Sequence, residues 1–164
     1  MRTVAIASDS HVPNRAPGLP GWVEDLVEDA DHLIHPGDFV DEATLEHFRE
    51  LADGDLTAVT GNMDPSLGLP RVDSVTVEDV TFVVTHGTGD PAGYDDRVVG
   101  AAHEEAGDDA VAVAGHTHQV RDDVVDGVRL LNPGSCTGAP PASETSMMTV
   151  SVDGGKIDVT VHRE

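Results

Sequence analysis

Residues 3–38, TVAIASDSHVPNRAPGLPGWVEDLVEDADHLIHPGD, set a pattern that the rest of the chain repeats. Thr3 to Ala7 is a short apolar run of the kind that forms a buried strand, and it empties into Asp9-Ser10-His11. The spacing of Trp22, Leu26 and Val27 predicts a helix over Gly21 to Ala30 with these residues on one face. His32 to His35 is a second strand, ending at Gly37-Asp38. Strand, polar motif, helix, strand, polar motif is the order that builds a parallel sheet, and open α/β sheets gather their ligand sites at the carboxyl ends of such strands.

Outward from this stretch the pattern continues. Asp41 is placed to cap a helix carrying Leu45, Phe48 and Leu51 on one side, and Leu56 to Thr60 is a third strand leading into Gly61-Asn62. From Val72 the sequence turns β-rich: Val72–Val77 and Val80–Thr85 flank Glu78-Asp79 as a hairpin, and the second arm delivers His86-Gly87. Asp95 to Ala106 reads as a helix closed by Gly107, and Ala110 to Ala114 as a strand running into Gly115-His116-Thr117-His118. Two more hairpins follow, Val120–Val125 with Val128–Leu131 around Asp126-Gly127, and Met148–Val152 with Lys156–Val161 around Asp153-Gly154-Gly155. The sum is an α/β sandwich with mixed sheets inside, helices outside and the motif loops at one rim.

A chain of 164 residues without a linker-like stretch is read as a single domain over 1–164. The opening residues carry no signal-peptide pattern, and no run approaches the roughly 20 apolar residues that cross a bilayer, so a soluble cytoplasmic protein with no membrane partner is expected. The lone Cys136 fits a reducing compartment and reads as a small hydrophobe rather than a nucleophile. Acidic residues outnumber basic ones 31 to 9, for a formal charge of -22. The repeated Val, Ile, Leu and Ala runs argue against disorder, leaving a solvated acidic coat; a halophilic source is expected, because about 1 M salt screens self-repulsion over about 3 Å.

Each motif alone is a common turn with a capping side chain. Together, each placed just after a strand, they are the donor set of a two-metal hydrolase. Asp38 can bridge two cations through its two oxygens, Asp9 and His11 can complete one ion, Asn62 can offer a neutral carbonyl oxygen to the other, and His86, His116 and His118 supply imidazoles. His116 and His118 are two apart, so in extended backbone they diverge toward different ions. Two divalent cations against two carboxylates leave residual positive charge that can bind phosphate. Imidazole-rich, cysteine-free coordination favours Mn²⁺, Fe²⁺, Co²⁺, Ni²⁺ or Zn²⁺ over Mg²⁺ or Ca²⁺, with Mn²⁺ preferred here.

The ordered series DSH, GD, GN, HG, GHTH, followed by Asn132-Pro133-Gly134-Ser135, resembles the calcineurin-like metallophosphoesterase superfamily, in particular its small single-domain phosphodiesterase branch. The resemblance spans residues 9 to 135. It implies a four-layer αββα sandwich of two mixed sheets flanked by helices, and a binuclear centre with Asp9, His11, Asp38 and His118 on one metal and Asp38, Asn62, His86 and His116 on the other. It further implies hydrolysis of a small phosphodiester by in-line attack of a hydroxide held between the ions, with Asp38, Asn62 and His116 closest to the chemistry. Larger phosphatases of the superfamily carry a histidine directly after the asparagine, where it protonates the leaving group; Met63 stands there in this chain, followed by Asp64. Such acid assistance is typically worth about 10²–10⁴-fold, so its absence favours leaving groups that need little help. The small branch also commonly carries a basic residue after the Asn-Pro-Gly-Ser segment, where this chain has Ala139-Pro140-Pro141-Ala142.

Other readings are a non-catalytic interaction scaffold of the same fold, as in the similar small subunit of the retromer coat, and a phosphomonoesterase. A nucleic-acid partner is disfavoured by the lack of a basic stripe and of interleaved aromatics. His35 reads as a supporting or core histidine, and His32, His47, His103 and His162 as surface residues. Sheet edges and the apolar loop Leu67-Gly68-Leu69-Pro70 are candidate contacts for a homo-oligomer.

Overall fold

The computed structural model describes residues 1–107 and 109–164. In chain order the elements are β1 (Arg2–Ile6), α1 (Gly21–Asp29), β2 (His32–His35), α2 (Glu42–Leu51), β3 (Leu56–Ala58), β4 (Val72–Val77), β5 (Val80–Thr85), α3 (Tyr94–Ala106), β6 (Val111–Val113), β7 (Val120–Val125), β8 (Val128–Pro133), β9 (Ser146–Asp153) and β10 (Lys156–Arg163). They form two five-stranded sheets, ordered β10-β9-β1-β2-β3 and β4-β5-β6-β8-β7. Both sheets are mixed. In the first, β1 pairs parallel with β2 and β2 with β3, while β9 runs antiparallel to both β1 and β10. In the second, β5, β6 and β8 are parallel, and β4 and β7 close the edges antiparallel.

The sheets stack because their buried strands are apolar on both faces, with different side chains on each. Along β1, Val4 and Ile6 join the layer between the sheets, while Ala5 and Ala7 face the outer helices. Strand β6 repeats this with Val111 and Val113 inward and Ala112 outward. Bulky residues thus fill the space between the sheets, completed by Ile34, Phe82, Val84, Leu131, Met148 and Val150, all buried. The small outward alanines let helices approach: α1 and α2 cover the first sheet through Val23, Val27, Leu45 and Phe48, and α3 covers the second through Val98, Val99 and Ala102. This is the expected four-layer αββα sandwich.

The local signals act as read. Asp41 caps α2, its side chain accepting from the Thr44 N–H at 2.9 Å. Asp126 and Gly127 adopt φ of 49° and 80° between paired Val125 and Val128, as a two-residue hairpin requires. Three expectations need correction. Leu67 and Leu69 are partly buried against the α1/α2 layer, which reduces the apolar surface that this loop exposes. His32 and His162 are half-buried and sit 2.8 Å and 2.9 Å from the hydroxyls of Thr57 and Thr149, inside the first sheet rather than free on the surface. On α1 the fully buried pair is Val23 and Val27, with Trp22 and Leu26 at its margin.

Phe82 is wholly buried between the sheets. Phe82→Ala should therefore cost about 3–5 kcal/mol, read as a lower urea midpoint at unchanged m-value; a loss under about 1 kcal/mol would mean that the interlayer core is loosely packed.

Candidate metal centre

Four strand ends of the first two-thirds of the chain and the end of β6 open onto one rim, and the sequence motifs occupy all five. Asp9 and His11 follow β1, Asp38 follows β2, Asn62 follows β3, His86 follows β5, and His116 and His118 follow β6. The first sheet therefore supplies both carboxylates and the amide, and the second supplies three of the four imidazoles. Asp9, His11, Asp38, His86 and His118 are buried, whereas Asn62 is exposed and His116 half-exposed at the mouth.

Five of the seven hold left-handed backbone: Asp9 (φ 52°), His11 (47°), Asp38 (64°), His116 (74°) and His118 (60°). Such conformations cost non-glycine residues about 1–3 kcal/mol each and persist where the surroundings enforce them. Here the loops brace one another. The Asp9 N–H donates to the Gly37 carbonyl at 3.1 Å, the His11 N–H to the Asp38 carbonyl at 3.1 Å, and the Gly115 N–H to the His86 carbonyl at 3.2 Å. Two glycines leave room that no side chain could share. A Cβ on Gly61 would lie 2.1 Å from Asp38 Oδ1, and one on Gly115 would lie 2.4 Å from Ser8 Oγ and 2.5 Å from Asp9 Oδ2.

The donor atoms converge in two groups that share Asp38. In the first, one ligand atom each from Asp9, His11, Asp38 and His118 falls within 4.8 Å of all the others. His11 Nε2 is 3.2 Å from His118 Nε2 and 3.3 Å from Asp38 Oδ2, and His118 Nε2 is 3.4 Å from Asp9 Oδ1. In the second, His86 Nε2 is 3.2 Å from Asp38 Oδ2 and 3.0 Å from Asn62 Oδ1, and His116 Nδ1 is 3.1 Å from the same amide oxygen. All seven residues singled out in the sequence thus meet at one place.

Each second-sheet imidazole is aimed by a backbone carbonyl. His86 Nδ1 donates to Pro36 O at 2.8 Å, His118 Nδ1 to Ala139 O at 2.8 Å, and His116 Nε2 to Gly89 O at 3.0 Å, so the other ring nitrogen of each faces the centre. His11 Nδ1 is buried without a hydrogen-bond partner among the described residues. Ring nitrogens crowded against two buried carboxylates form a donor set that divalent cations satisfy, and the mixture of imidazole and carboxylate oxygen suits Mn²⁺ to Zn²⁺.

Electrostatics point the same way. Burial opposes ionisation of Asp9 and Asp38, but hydrogen bonds and charge from His118, His11 and His86 hold both carboxyls below their ordinary value. Burial likewise opposes a charged His86, yet the bond to Asp38 and the charges of Asp9 and Asp38 outweigh it and raise its pKa to about 9. His118 is raised in the same way, against its own desolvation, by Asp9. His35 lies outside the donor groups: burial lowers it to about 3, its Nδ1 accepts from the Gly37 N–H at 3.1 Å, and its ring stacks on Phe39 at 3.7 Å. Cys136 is buried and its thiol pushed up by desolvation, as befits a packing residue.

Two supports escape a reading of the sequence. Asp64 Oδ2 accepts from the N–H groups of Asp38 (2.9 Å) and Gly61 (2.8 Å), and its Oδ1 from Val40 (2.7 Å), so one carboxylate ties the β2 and β3 loops together. Asn132 donates to Gly115 O at 3.0 Å and to Thr117 Oγ1 at 3.1 Å, and Tyr94 donates to Gly115 O at 2.7 Å, pinning the loop that carries His116 and His118. Ser135 completes the bracing by donating to Asp9 O at 2.8 Å. The only available signal for Asp64 was its place two residues after Asn62, in a turn.

With this geometry in place, likeness to other proteins has a definite meaning. A family profile described as the calcineurin-like phosphoesterase superfamily domain matches residues 1–155. Over 162 residues the chain is 33% identical to a probable metallophosphoesterase of Methanothermobacter thermautotrophicus, covering 98% of this chain and 91% of that protein. Among solved structures, one described as a novel archaeal phosphodiesterase shares the fold at a TM-score of 0.74 with 23% identity, covering 98% and 99% of the two chains. Wild-type Vps29 of Entamoeba histolytica in complex with zinc shares it at 0.77 with 21% identity, covering 99% and 98%.

Two outcomes follow. Groups whose pKa is raised by folding contribute stability that is complete below the unfolded value, 6.5, and is lost as pH rises through the folded value, about 9 for His86. In EDTA, the melting temperature followed by circular dichroism should therefore fall between pH 6.5 and 9; a rise across that window would contradict the carboxylate–imidazole pairing. Asp64→Ala, which strands three N–H donors, should weaken Mn²⁺ binding by about 10–100-fold in calorimetry, and an unchanged affinity would make its bonds incidental.

Proposed function

The chain belongs to the calcineurin-like phosphoesterase superfamily, and we propose that it is a phosphodiesterase dependent on two divalent ions, with Mn²⁺ the preferred one. The observation that carries this reading is the sharing of Asp38: its Oδ2 lies 3.3 Å from His11 Nε2 and 3.2 Å from His86 Nε2, at the junction of the two donor groups. Asp9, His11, Asp38 and His118 would hold one ion, and Asp38, Asn62, His86 and His116 the other. When bound, two such ions supply water of lowered pKa and offset the negative charge that develops at phosphorus.

The chain's own residues do the remaining work. The carbonyls of Pro36, Ala139 and Gly89 accept from the outer ring nitrogens and so point the inner nitrogen of three imidazoles at the centre. Asn62 and His116 stand at the open mouth, where a phosphoryl group enters, and contribute a neutral oxygen and an imidazole rather than negative charge that would repel it. Asp38 Oδ1 is held by the Met63 N–H at 2.9 Å, which leaves Oδ2 facing the centre. The Met63 side chain is 43% exposed and has no proton to give, so no acid stands at that position to assist a poor leaving group. This supports a preference for diesters with good leaving groups over alkyl monoesters.

Likeness to Vps29 is a likeness of fold, and it supports a second reading, a protein-docking scaffold, only in part. The same shape is compatible with both, and because Vps29 also occurs as a zinc complex, metal-dependent diester hydrolysis rather than bound metal separates them. The salt-adapted, acidic-coat reading belongs with this proposal as its working condition, so assays belong in high salt as well as dilute buffer.

With Mn²⁺ present, bis(p-nitrophenyl) phosphate should turn over faster than p-nitrophenyl phosphate, and Asp38→Asn should lower kcat/KM on the diester by at least about a hundredfold. Undiminished turnover by that variant would remove Asp38 from its bridging role, and a monoester preference would replace the diesterase assignment.

A further inference from the structure

A cavity of about 310 Å³ opens beside the centre, lined by Thr60, Arg71, Thr85, His86, Thr88 and Arg97. It shares His86 with the second donor group, and Thr60 precedes the Gly61-Asn62 turn. Two arginines in one cavity are unexpected in a chain with 31 acidic and 9 basic residues.

Their bonding sets them apart from four of the other six arginines. Arg49, Arg121, Arg129 and Arg163 each pair with a carboxylate, of Glu46, Asp95 and Asp123, Asp122, and Glu144 respectively. Arg71 is exposed and makes no hydrogen bond or ion pair among the described residues. Arg97 binds backbone carbonyls only, of Gly87 at 3.1 Å, Asp90 at 2.7 Å and Ala92 at 3.3 Å. Those bonds fix its guanidinium in place without cancelling its charge. The cavity wall thus carries two positive charges that no carboxylate neutralises, with the hydroxyls of Thr85 and Thr88 beside them. Against a net charge of -22 that repels any anion, this is a local reversal of sign, and it sits next to the place where phosphoryl transfer is proposed.

We infer that this cavity is the subsite for one ester arm of the substrate, and that the arm carries a second anionic group, a carboxylate or phosphate, bound by Arg71 and favoured by the fixed charge of Arg97. The inference rests on the phosphodiesterase reading and narrows it: the substrate is a small diester bearing a further negative charge on one arm. Guanidinium pairs with either oxyanion through two parallel N–H···O bonds, and such charge-assisted contacts are the strong ones.

The test separates binding from hydrolysis. Calorimetry of the Mn²⁺-loaded protein with ω-carboxyalkylphosphonates of two to five methylenes, against alkylphosphonates of equal length, reads the subsite with probes that cannot be cleaved. At the best length the carboxylate should tighten binding at least about tenfold in the wild type. Arg71→Gln should abolish that advantage, and Arg129→Gln, which changes net charge equally but lies in a remote ion pair, should keep it. No advantage in the wild type, or an advantage that survives Arg71→Gln, overturns the subsite. In parallel, p-nitrophenyl diesters with a carboxylate-ended or an alcohol-ended arm should differ in KM in the same sense. Arm-selective binding by a protein that hydrolyses no diester would support the subsite and sink the diesterase reading; hydrolysis without arm preference would do the reverse.

Discussion

Two carboxylates are buried where the motif loops meet, and much of the surrounding structure answers that fact. Asp9 is wholly buried and Asp38 nearly so, and a buried charge is tolerated only when it is met by opposite charge and hydrogen bonds. Ser8 donates to Asp9 at 2.6 Å, the His116 N–H reaches the same carboxylate at 3.2 Å, and Met63 donates to Asp38 at 2.9 Å. The imidazoles contribute the remaining compensation, as protons in the absence of cations and as co-ligands in their presence. The left-handed ligands, the bare glycines and the Asp64 clamp are the local means by which seven donors can stand this close together.

Much of this was legible in the sequence, and the reasons differ by level. The architecture followed from alternation: β1 and β6 set valine or isoleucine at one parity and alanine at the other, and β2, β5 and β8 are apolar at both, so that each buried strand has two apolar faces, which a layered fold can use. The donor residues were legible because they follow strands, so the sheet's geometry carries them to one rim whatever the loops do. Asp64 was not, because its three partners lie on loops brought beside it by packing, with Asp38 and Val40 some twenty-five positions away in the chain. Asn132 stood in a motif but its contact did not, and Tyr94 was hidden altogether, because the two meet at Gly115 from β8 and α3. The partial burial of Leu67 and Leu69 shows the opposite limit: an apolar loop reads as exposed until the helices that it covers are known.

The acidic composition also looks different once placed. Half of the eight arginines are engaged with neighbouring carboxylates, as in the fork of Arg129 on Asp122 at 2.8–2.9 Å, where they temper repulsion within the coat. Such exposed pairs are individually worth little, typically about 0.2–1 kcal/mol, and their effect is mainly to remove local positive charge from the surface. Against that background Arg71 and Arg97 gain meaning from lining one cavity together beside His86, neither paired with a carboxylate.

The division of the donors between the two sheets carries a further consequence. Carboxylates come from one slab and most imidazoles from the other, so the gap between them is gauged by the side chains sandwiched in the middle, Ile6, Ile34, Phe82 and Val113. Packed cores resist compression and do not deform smoothly. The interlayer residues therefore act as shims: trimming or enlarging one would retune the spacing of the donor atoms from the interior, without touching any of them.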